Sequence, residues 1–374
     1  MKPRIAFLGS RGIPARYGGF ETFVEEVAKR LVLLGVEVTV YCEGTSGPAE
    51  YEGVRLKYVA ANAPGPLRTL WFDLCCLWRA RRDHDVVYML GYAAALFCFL
   101  PRVFGSEVWI NMDGLEWKRS KWGLMARSWL KCMEGVAFRS ANRLIFDNYA
   151  LREIVLERRS FQVKNTVIEY GSPSVEEVPS DAHLDQFGVR SGEYYLVVCR
   201  FEPENHVHEI AQAHLESGIE DPLIIVANSD LGTAYVDRCQ QLGSKQIRFV
   251  GAVYDQDILL ALRAHCRAAI HGHSVGGTNP SLLEAMVCGR PILAHSNPFN
   301  RETLGVSGTY WETDRLAESW REFDSEDSAV VARRGFSARN RAVEYFSWER
   351  IAAAYMDLLP ATVVPQELPQ REAA

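Results

Sequence analysis

A chain that runs apolar strand, glycine turn and capped helix has few folds open to it, and residues 267–291 run that way: RAAIHGHSVGGTNPSLLEAMVCGRP. Arg267-Ala268-Ala269-Ile270 reads as the end of a buried strand. Gly276-Gly277, Thr278, Asn279 and Pro280 follow, then apolar Leu282, Leu283, Ala285 and Met286 on helical spacing. Gly289 stops that pattern and Pro291 lies just beyond, the punctuation of a helix end. Asn279 is the predicted N-cap and Pro280 a first-turn residue. Strand, turn and helix in this sequence build open α/β sheets, whose ligands gather at the carboxyl ends of the strands. A helix N-terminus offers unpaired N–H groups and a positive dipole end, both favourable to phosphate. Paired glycines let a ligand approach the backbone closely. Glu284, one turn into the helix, is placed either to accept hydrogen bonds from a ribose or simply to face water.

The same unit opens the chain. RIAFL at 4–8 is followed by a long glycine-bearing connection, Gly9 to Gly19, and an amphipathic helix from about Phe20 to Leu34. Gly35 ends the helix and VEVTVYC is the next strand. Gly9, Gly12 and Gly18-Gly19 do not make GxGxxG, which argues against a dinucleotide site. The loop, with Glu21 beside it, suits an anion or sugar at the backbone, or it merely turns. Further strands are expected at 108–111, 142–145 and 166–169, then a polar linker from Gly171 to about Gly192. YYLVVCRFEPENH, PLIIVAN and IRFVGAV start a second α/β series. The length suits two domains, placed at 1–172 and 190–345, with a last helix in 346–360 and a tail, 361–374, expected to be disordered.

Several classes are disfavoured. No apolar run approaches the roughly eighteen residues of a spanning helix, and Met1-Lys2-Pro3-Arg4 leads directly into a strand, so no signal peptide is expected. The nine Cys lack CxxC pairs and read as reduced, cytoplasmic thiols. Residues 1–170 carry a net charge of +6 and the remainder −12, which suggests an anionic partner for the first half. Basic, Trp-rich stretches at 67–82 and 117–139 suit a peripheral contact with an anionic membrane, or ordinary core and surface packing. No nucleic-acid motif accompanies them. Asp83-His84-Asp85 is a literal DxD, but it precedes a strand rather than following one, so no metal is expected there. His271 and His273 have metal-like spacing without an evident third ligand and read as polar site residues or satisfied structural histidines. Asp113 and Glu116 follow the strand at 108–111, where site residues belong, and Asp113 reads equally as a cap of the next helix.

Taken together, Glu284 with EAMVCGRP resembles the nucleotide-binding segment of the retaining GT-B glycosyltransferases of the glycogen-synthase-like group. GSRGIPARYGGFETFVEE and GGTNPSLLEA resemble, more narrowly, bacterial rhamnosyltransferases of capsule and exopolysaccharide assembly. The resemblance implies two doubly wound, Rossmann-like α/β domains facing a cleft, with the last helix packing back across them. It implies rhamnosyl transfer from dTDP-L-rhamnose to a lipid-diphosphate-linked saccharide on the cytosolic membrane face, with retention and without metal or other cofactor.

Donor contacts are implied at Gly18, Gly19, Asn205, Val253, Gly276, Gly277, Thr278, Asn279, Pro280, Ser281 and Leu282. Catalytic roles are implied for Asp113, Arg200 and Glu284, and acceptor-side roles for Glu21 and Glu116. Two positions depart from the wider pattern: Gly276 stands where a first Glu is usual, and Asn205 where a Lys is usual. Asp113 stands where relatives carry a His that meets the sugar's C6 hydroxyl, a group rhamnose lacks. Other readings that fit the sequence are a UDP-hexose transferase, a nucleotide-sugar epimerase and a non-catalytic nucleotide-sugar-binding protein.

Overall fold

The computed structural model describes residues 2–16, 18–63, 67–159, 162–228 and 234–360. Two sheets dominate it. The first contains β1 (Arg4–Leu8), β2 (Glu37–Glu43), β3 (Glu50–Tyr51), β4 (Val54–Val59), β5 (Val86–Met89), β6 (Glu107–Asn111), β7 (Arg143–Phe146) and β8 (Lys164–Val167), in the order β3-β4-β2-β1-β5-β6-β7-β8. β4, β2, β1, β5 and β6 pair in parallel, and β3 adds an antiparallel edge to β4. The second contains β9 (Tyr195–Arg200), β10 (Leu223–Asn228), β11 (Ile247–Gly251), β12 (Ala268–His271), β13 (Ile292–His295) and β14 (Thr309–Trp311), in the order β11-β10-β9-β12-β13-β14, all parallel. Parallel strands covered by helices on both faces must be apolar throughout. Ile5 to Leu8 and Leu223 to Ile225 accordingly have no exposed surface.

Contact density divides the chain into two units: residues 1–111 with 136–144 and 352 onward, and residues 112–135 with 145–351. The division falls inside the last helix, Trp348–Leu358. In the first unit Tyr355 is fully buried among Phe23, Tyr88 and Trp109. Its hydroxyl meets that of Tyr88 at 2.9 Å, and Asn111 Nδ2 donates to Tyr88 at 3.1 Å. In the second unit one helical layer (Val207, Ile210, Ala211) and an opposite layer (Leu259, Leu262) sandwich the sheet.

The punctuation of the elements agrees with their sequence signals. Helix Gly19–Leu33 closes at Gly35, whose φ is +91°, and helix Pro280–Val287 closes at Gly289, whose φ is +69°. The polar stretch expected to be a linker is partly core instead. Leu184 and Val189, in and after a short 3-10 helix at Asp181–Phe187, are buried in one core cluster with Tyr194, just before β9, and Leu196 within it. The β3–β4 hairpin and the edge strand β14 were not expected. The proposed tail, 361–374, lies outside the described residues.

The Asp83-His84-Asp85 turn is occupied by folding contacts. Asp85 Oδ2 accepts from the Arg4 backbone N–H at 2.9 Å and Oδ1 pairs with the Arg4 guanidinium at 2.8 Å. Burial pushes His84 down to about 4.

Candidate functional site

The second sheet reverses its strand order between β9 and β12, so their carboxyl ends form a topological switch point. Two loops leave from there. After β9 come Arg200 to His206 and helix Val207–Ser217, and after β12 come Gly272 to Asn279 and helix Pro280–Val287. Asn279 caps the second helix, its Oδ1 accepting from Ser281 N at 2.9 Å, with Pro280 in the first turn. The loops are pinned to each other. Asn205 donates from Nδ2 to Arg200 O at 2.8 Å and its Oδ1 meets His273 Nδ1 at 2.9 Å. A Cβ on Gly272 would lie 2.1 Å from Asn205 O, so no side chain fits there. His206, at φ +52°, stacks on His295 with centroids 4.8 Å apart and reaches Ser274 Oγ at 3.0 Å.

This architecture accounts for both departures from the wider sequence pattern. Asn205 is buried and both ends of its amide hold loops, so its side chain serves the scaffold. Gly276 sits at φ +132°, and a Cβ there would approach His273 Nε2 to 3.2 Å, which leaves a glutamate no comfortable conformation. Because His273 Nδ1 faces an amide oxygen it carries the proton, and Nε2 is the acceptor beside Gly276. Burial first, then His271, Arg119 and Arg200, hold His273 well below the usual histidine range, so the ring is neutral. Burial likewise lowers His271 to about 3.

A second group of loops in the same unit meets the glycine turn. Gly114 approaches Gly276 so closely that a Cβ on Gly114 would lie 3.1 Å from Gly276 Cα. Asp113, beside it, is partly buried. Glu116 accepts from Trp122 Nε1 at 3.2 Å and pairs with Arg119 Nε at 2.6 Å. Burial and the neighbouring Asp113 raise its carboxyl above the ordinary range. Ser120 donates its N–H and hydroxyl to Glu204 at 2.5 and 2.8 Å, tying this segment to the loop after β9.

Two residues here escaped the sequence reading. Burial opposes the charge of Arg119, but Asp113, Glu116, Glu202 and Glu204 hold it firmly cationic. Asp147, at the end of β7, accepts from Thr278 Oγ1 at 2.5 Å through its carbonyl. Its carboxyl fills the space a Cβ on Gly277 would need, with Oδ1 only 1.7 Å from that position. Oδ1 is sealed from solvent without a hydrogen-bond partner. Burial, then Asp113, raises this carboxyl to about 8, against the opposing pull of the Asp147 and Thr278 backbone amides. At neutral pH it is a neutral acid able to donate a hydrogen bond. The available sequence signal was an Asp at a strand end.

The structure thus brings Asp113, Arg119, Asp147, Arg200 and residues 276–279 into one unit. Arg200 is half exposed and 3.5 Å from Glu202. Ser281 spends its hydroxyl on Val198 O at 2.8 Å, and the Leu282 side chain is buried in the core. Glu284 is ion-paired with the buried Arg263. Val253 follows β11, two strands from β9. In the other unit, Gly18 precedes helix Gly19–Leu33 at φ +115° with Glu21 against it. Glu21 Oε1 accepts from Arg11 N at 2.9 Å, so this carboxylate anchors the loop at Arg11. Among the described residues no cluster of His, Cys, Asp and Glu is arranged to hold a metal, and no helix is long and apolar enough to cross a membrane.

Solved structures share this fold along nearly the whole chain. Sucrose-phosphate synthase from Thermosynechococcus elongatus matches at 18% identity with a TM-score of 0.79, over 96% of this chain and 98% of that one. Anabaena HepE, solved with UDP and glucose, matches at 19% with a TM-score of 0.71, over 95% and 98%. The α,α-trehalose 6-phosphate synthase of Burkholderia multivorans matches at 12% with a TM-score of 0.70, over 96% of each. The chain therefore has the GT-B fold. Residues 2–173 match a family described as a domain of unknown function, DUF1972. No curated protein matches the sequence.

Proposed function

We propose that the protein is a glycosyltransferase that takes its sugar from a nucleotide diphosphate donor. The observation that carries this reading is the switch point: a capped helix start and glycine turn near Arg200, with Gly114 and a neutral Asp147 against the turn and Asp113 acting on Asp147. Helix N–H groups and one guanidinium are the groups that stabilise charge developing on a leaving diphosphate. The fold supports the same reading, since its neighbours include enzymes named as sugar-phosphate synthases and a protein solved with UDP-glucose.

The donor proposed is dTDP-L-rhamnose, and the acceptor a lipid-diphosphate-linked saccharide reached at the cytosolic face of a membrane. Asp113, standing where the resembled enzymes carry a His that meets the sugar's C6 hydroxyl, is the residue-level support for a 6-deoxy sugar. In the proposed step the bond from C1 to the diphosphate oxygen breaks and a bond from C1 to the acceptor oxygen forms on the same face. The acceptor's proton passes to the departing diphosphate. Arg200, the amides of Gly276, Gly277 and Asn279 and the helix dipole stabilise that leaving group, with no metal required. A UDP-hexose donor is the second reading, favoured by HepE having been solved with UDP-glucose.

Calorimetry with dTDP-L-rhamnose, UDP-glucose and UDP-N-acetylglucosamine, in EDTA, tests the proposal. Selective binding of the rhamnosyl donor is expected. Preference for a UDP-sugar overturns the rhamnose assignment, and no binding to any of the three overturns the transferase reading.

A further inference from the structure

The first unit carries an exposed apolar face apart from the sites above. On helix Leu67–Ala80, Leu67, Trp71 and Trp78 are exposed, and steps of four and seven residues align them on one side. Trp71 is 47% and Trp78 53% exposed, whereas Phe72, Cys76 and Leu77 on the other side are buried. Helix Phe99–Val103 packs beside this helix and adds Phe99, Phe104 and Val103, the last 74% exposed. Arg81 joins the two helices, its guanidinium 4.0 Å from the Trp78 ring centre and 5.6 Å from that of Phe104. Arg82 lies 4.7 Å over Phe104. Arg68, Arg79 and Arg102 are exposed in the same two segments; Arg68 is ion-paired with Glu43, whereas Arg79 and Arg102 donate only to backbone carbonyls and keep their charge unmatched. The single acid within 67–82 and 95–104 is Asp73, which is buried; Asp83, just beyond Arg82, is exposed and lies 3.7 Å from Lys57 Nζ.

An apolar face of this extent on a soluble surface marks an interaction site. Its chemistry selects the partner: indole and phenyl rings with arginines on their faces, and no exposed acid in either segment. Trp belongs at the boundary between headgroups and acyl chains, and arginine beside it pairs with lipid phosphate. A second copy of the chain is a poor occupant, because a two-fold contact would set this arginine-rich face against itself. The stretch at 117–122 contributes differently. Trp117 donates to Glu134 at 2.9 Å and is surrounded by Lys118, Lys131 and Arg158, so its indole is committed to packing.

We propose that this face, centred on Trp71, Trp78, Phe99 and Val103, seats the first unit on an anionic lipid bilayer. The inference deepens the reading of a lipid-linked acceptor and rests on that reading only for what the bilayer would deliver.

The test is flotation of the full chain with phosphatidylcholine vesicles and with vesicles containing phosphatidylglycerol, without nucleotide sugar. Binding to the anionic vesicles alone is expected, weakening with salt. Trp71→Ser with Val103→Glu should abolish it. Arg81→Ser and Arg82→Ser should each weaken it roughly five-fold. Val306→Ser, at a 99% exposed site in the other unit, should leave it unchanged. Circular dichroism and nucleotide-sugar calorimetry of each variant separate misfolding from loss of the surface. Absence of binding to the anionic vesicles overturns the inference, and so does binding that survives the double substitution. A concentration-dependent dimer that the double substitution dissolves also overturns it, by making a second copy the occupant. None of these outcomes bears on whether the donor binds.

Discussion

Replacing Asp147 with Asn should make the protein more stable at pH 7 and leave it unchanged at pH 4. The Asp147 carboxyl is lifted from its ordinary 3.8 to about 8, chiefly by burial. Over that interval the unfolded chain has released the proton while the folded chain retains it. Stability therefore falls as pH rises, by about 1.4 kcal/mol per pH unit. Three units from pH 4 to pH 7 set a ceiling of about 4 kcal/mol. The residue is partly exposed although Oδ1 is sealed, so roughly half of that, about 2 kcal/mol, is the reasoned expectation. Asn preserves the shape and an acceptor for the Thr278 amide while removing the titration. Urea unfolding of both proteins at the two pH values, with hydrogen exchange of helix Tyr149–Leu156 as the local probe, measures the difference. An Asn variant equally or less stable at pH 7, or a gain independent of pH, would refute the argument that burial keeps this carboxyl neutral.

Gly277→Ala should cost about 1–3 kcal/mol, because its Cβ would fall 1.7 Å from Asp147 Oδ1. Adding Asp147→Ala should recover most of that loss, and a double-mutant cycle by urea unfolding would show the coupling. Arg200→Ala should weaken nucleotide-diphosphate binding about 10- to 100-fold by calorimetry while leaving nucleoside binding unchanged, since a charge-assisted contact to the diphosphate is what it removes. Asp113→Asn should lower turnover roughly 100-fold with nucleotide affinity nearly intact, and unchanged turnover would remove Asp113 from the site.

The elements legible in the sequence are those whose signals are local. Asn279 caps its helix, Gly289 ends it, and the Arg267–Ile270 run is the strand leading to the turn, because caps and glycine stops act within a few residues. Residues 181–189 misled for the opposite reason. Their composition is mixed, but Leu184, Phe187 and Val189 pack into the core beside the second sheet, and Arg248 donates to the Phe187 and Gly188 carbonyls. Asp147 and Arg119 were illegible because their surroundings are assembled from distant chain. The Thr278 hydroxyl that meets Asp147 is 131 residues away, and the carboxylates that hold Arg119 charged include Glu202 and Glu204. Sequence spacing also gave no warning that the Ser281 hydroxyl would bond Val198 O and the Leu282 side chain enter the core, since both contacts come from distant chain.

Asn205 poses the sharpest conflict between the sequence pattern the chain resembles and local physics. The pattern places a cation there to face the diphosphate, which suggests that Asn205→Lys should tighten donor binding. The structure argues otherwise. The side chain is 6% exposed, and its amide bridges Arg200 O and His273 Nδ1, pinning the loop after β9 to the loop after β12. Lysine can donate to the carbonyl but has no acceptor for the histidine N–H. The substitution would leave a buried donor unpaired, at about 1–3 kcal/mol, and would add charge beside Arg200 and Arg119, which already press on His273. Arg119 puts a second cation in the region without needing Asn205 to change. The expected result is a protein destabilised in urea whose nucleotide-sugar affinity is no higher than the parent's by calorimetry. A stable variant with tighter binding would mean that the two loops rearrange freely, and that the asparagine bridge is incidental to the proposed donor site.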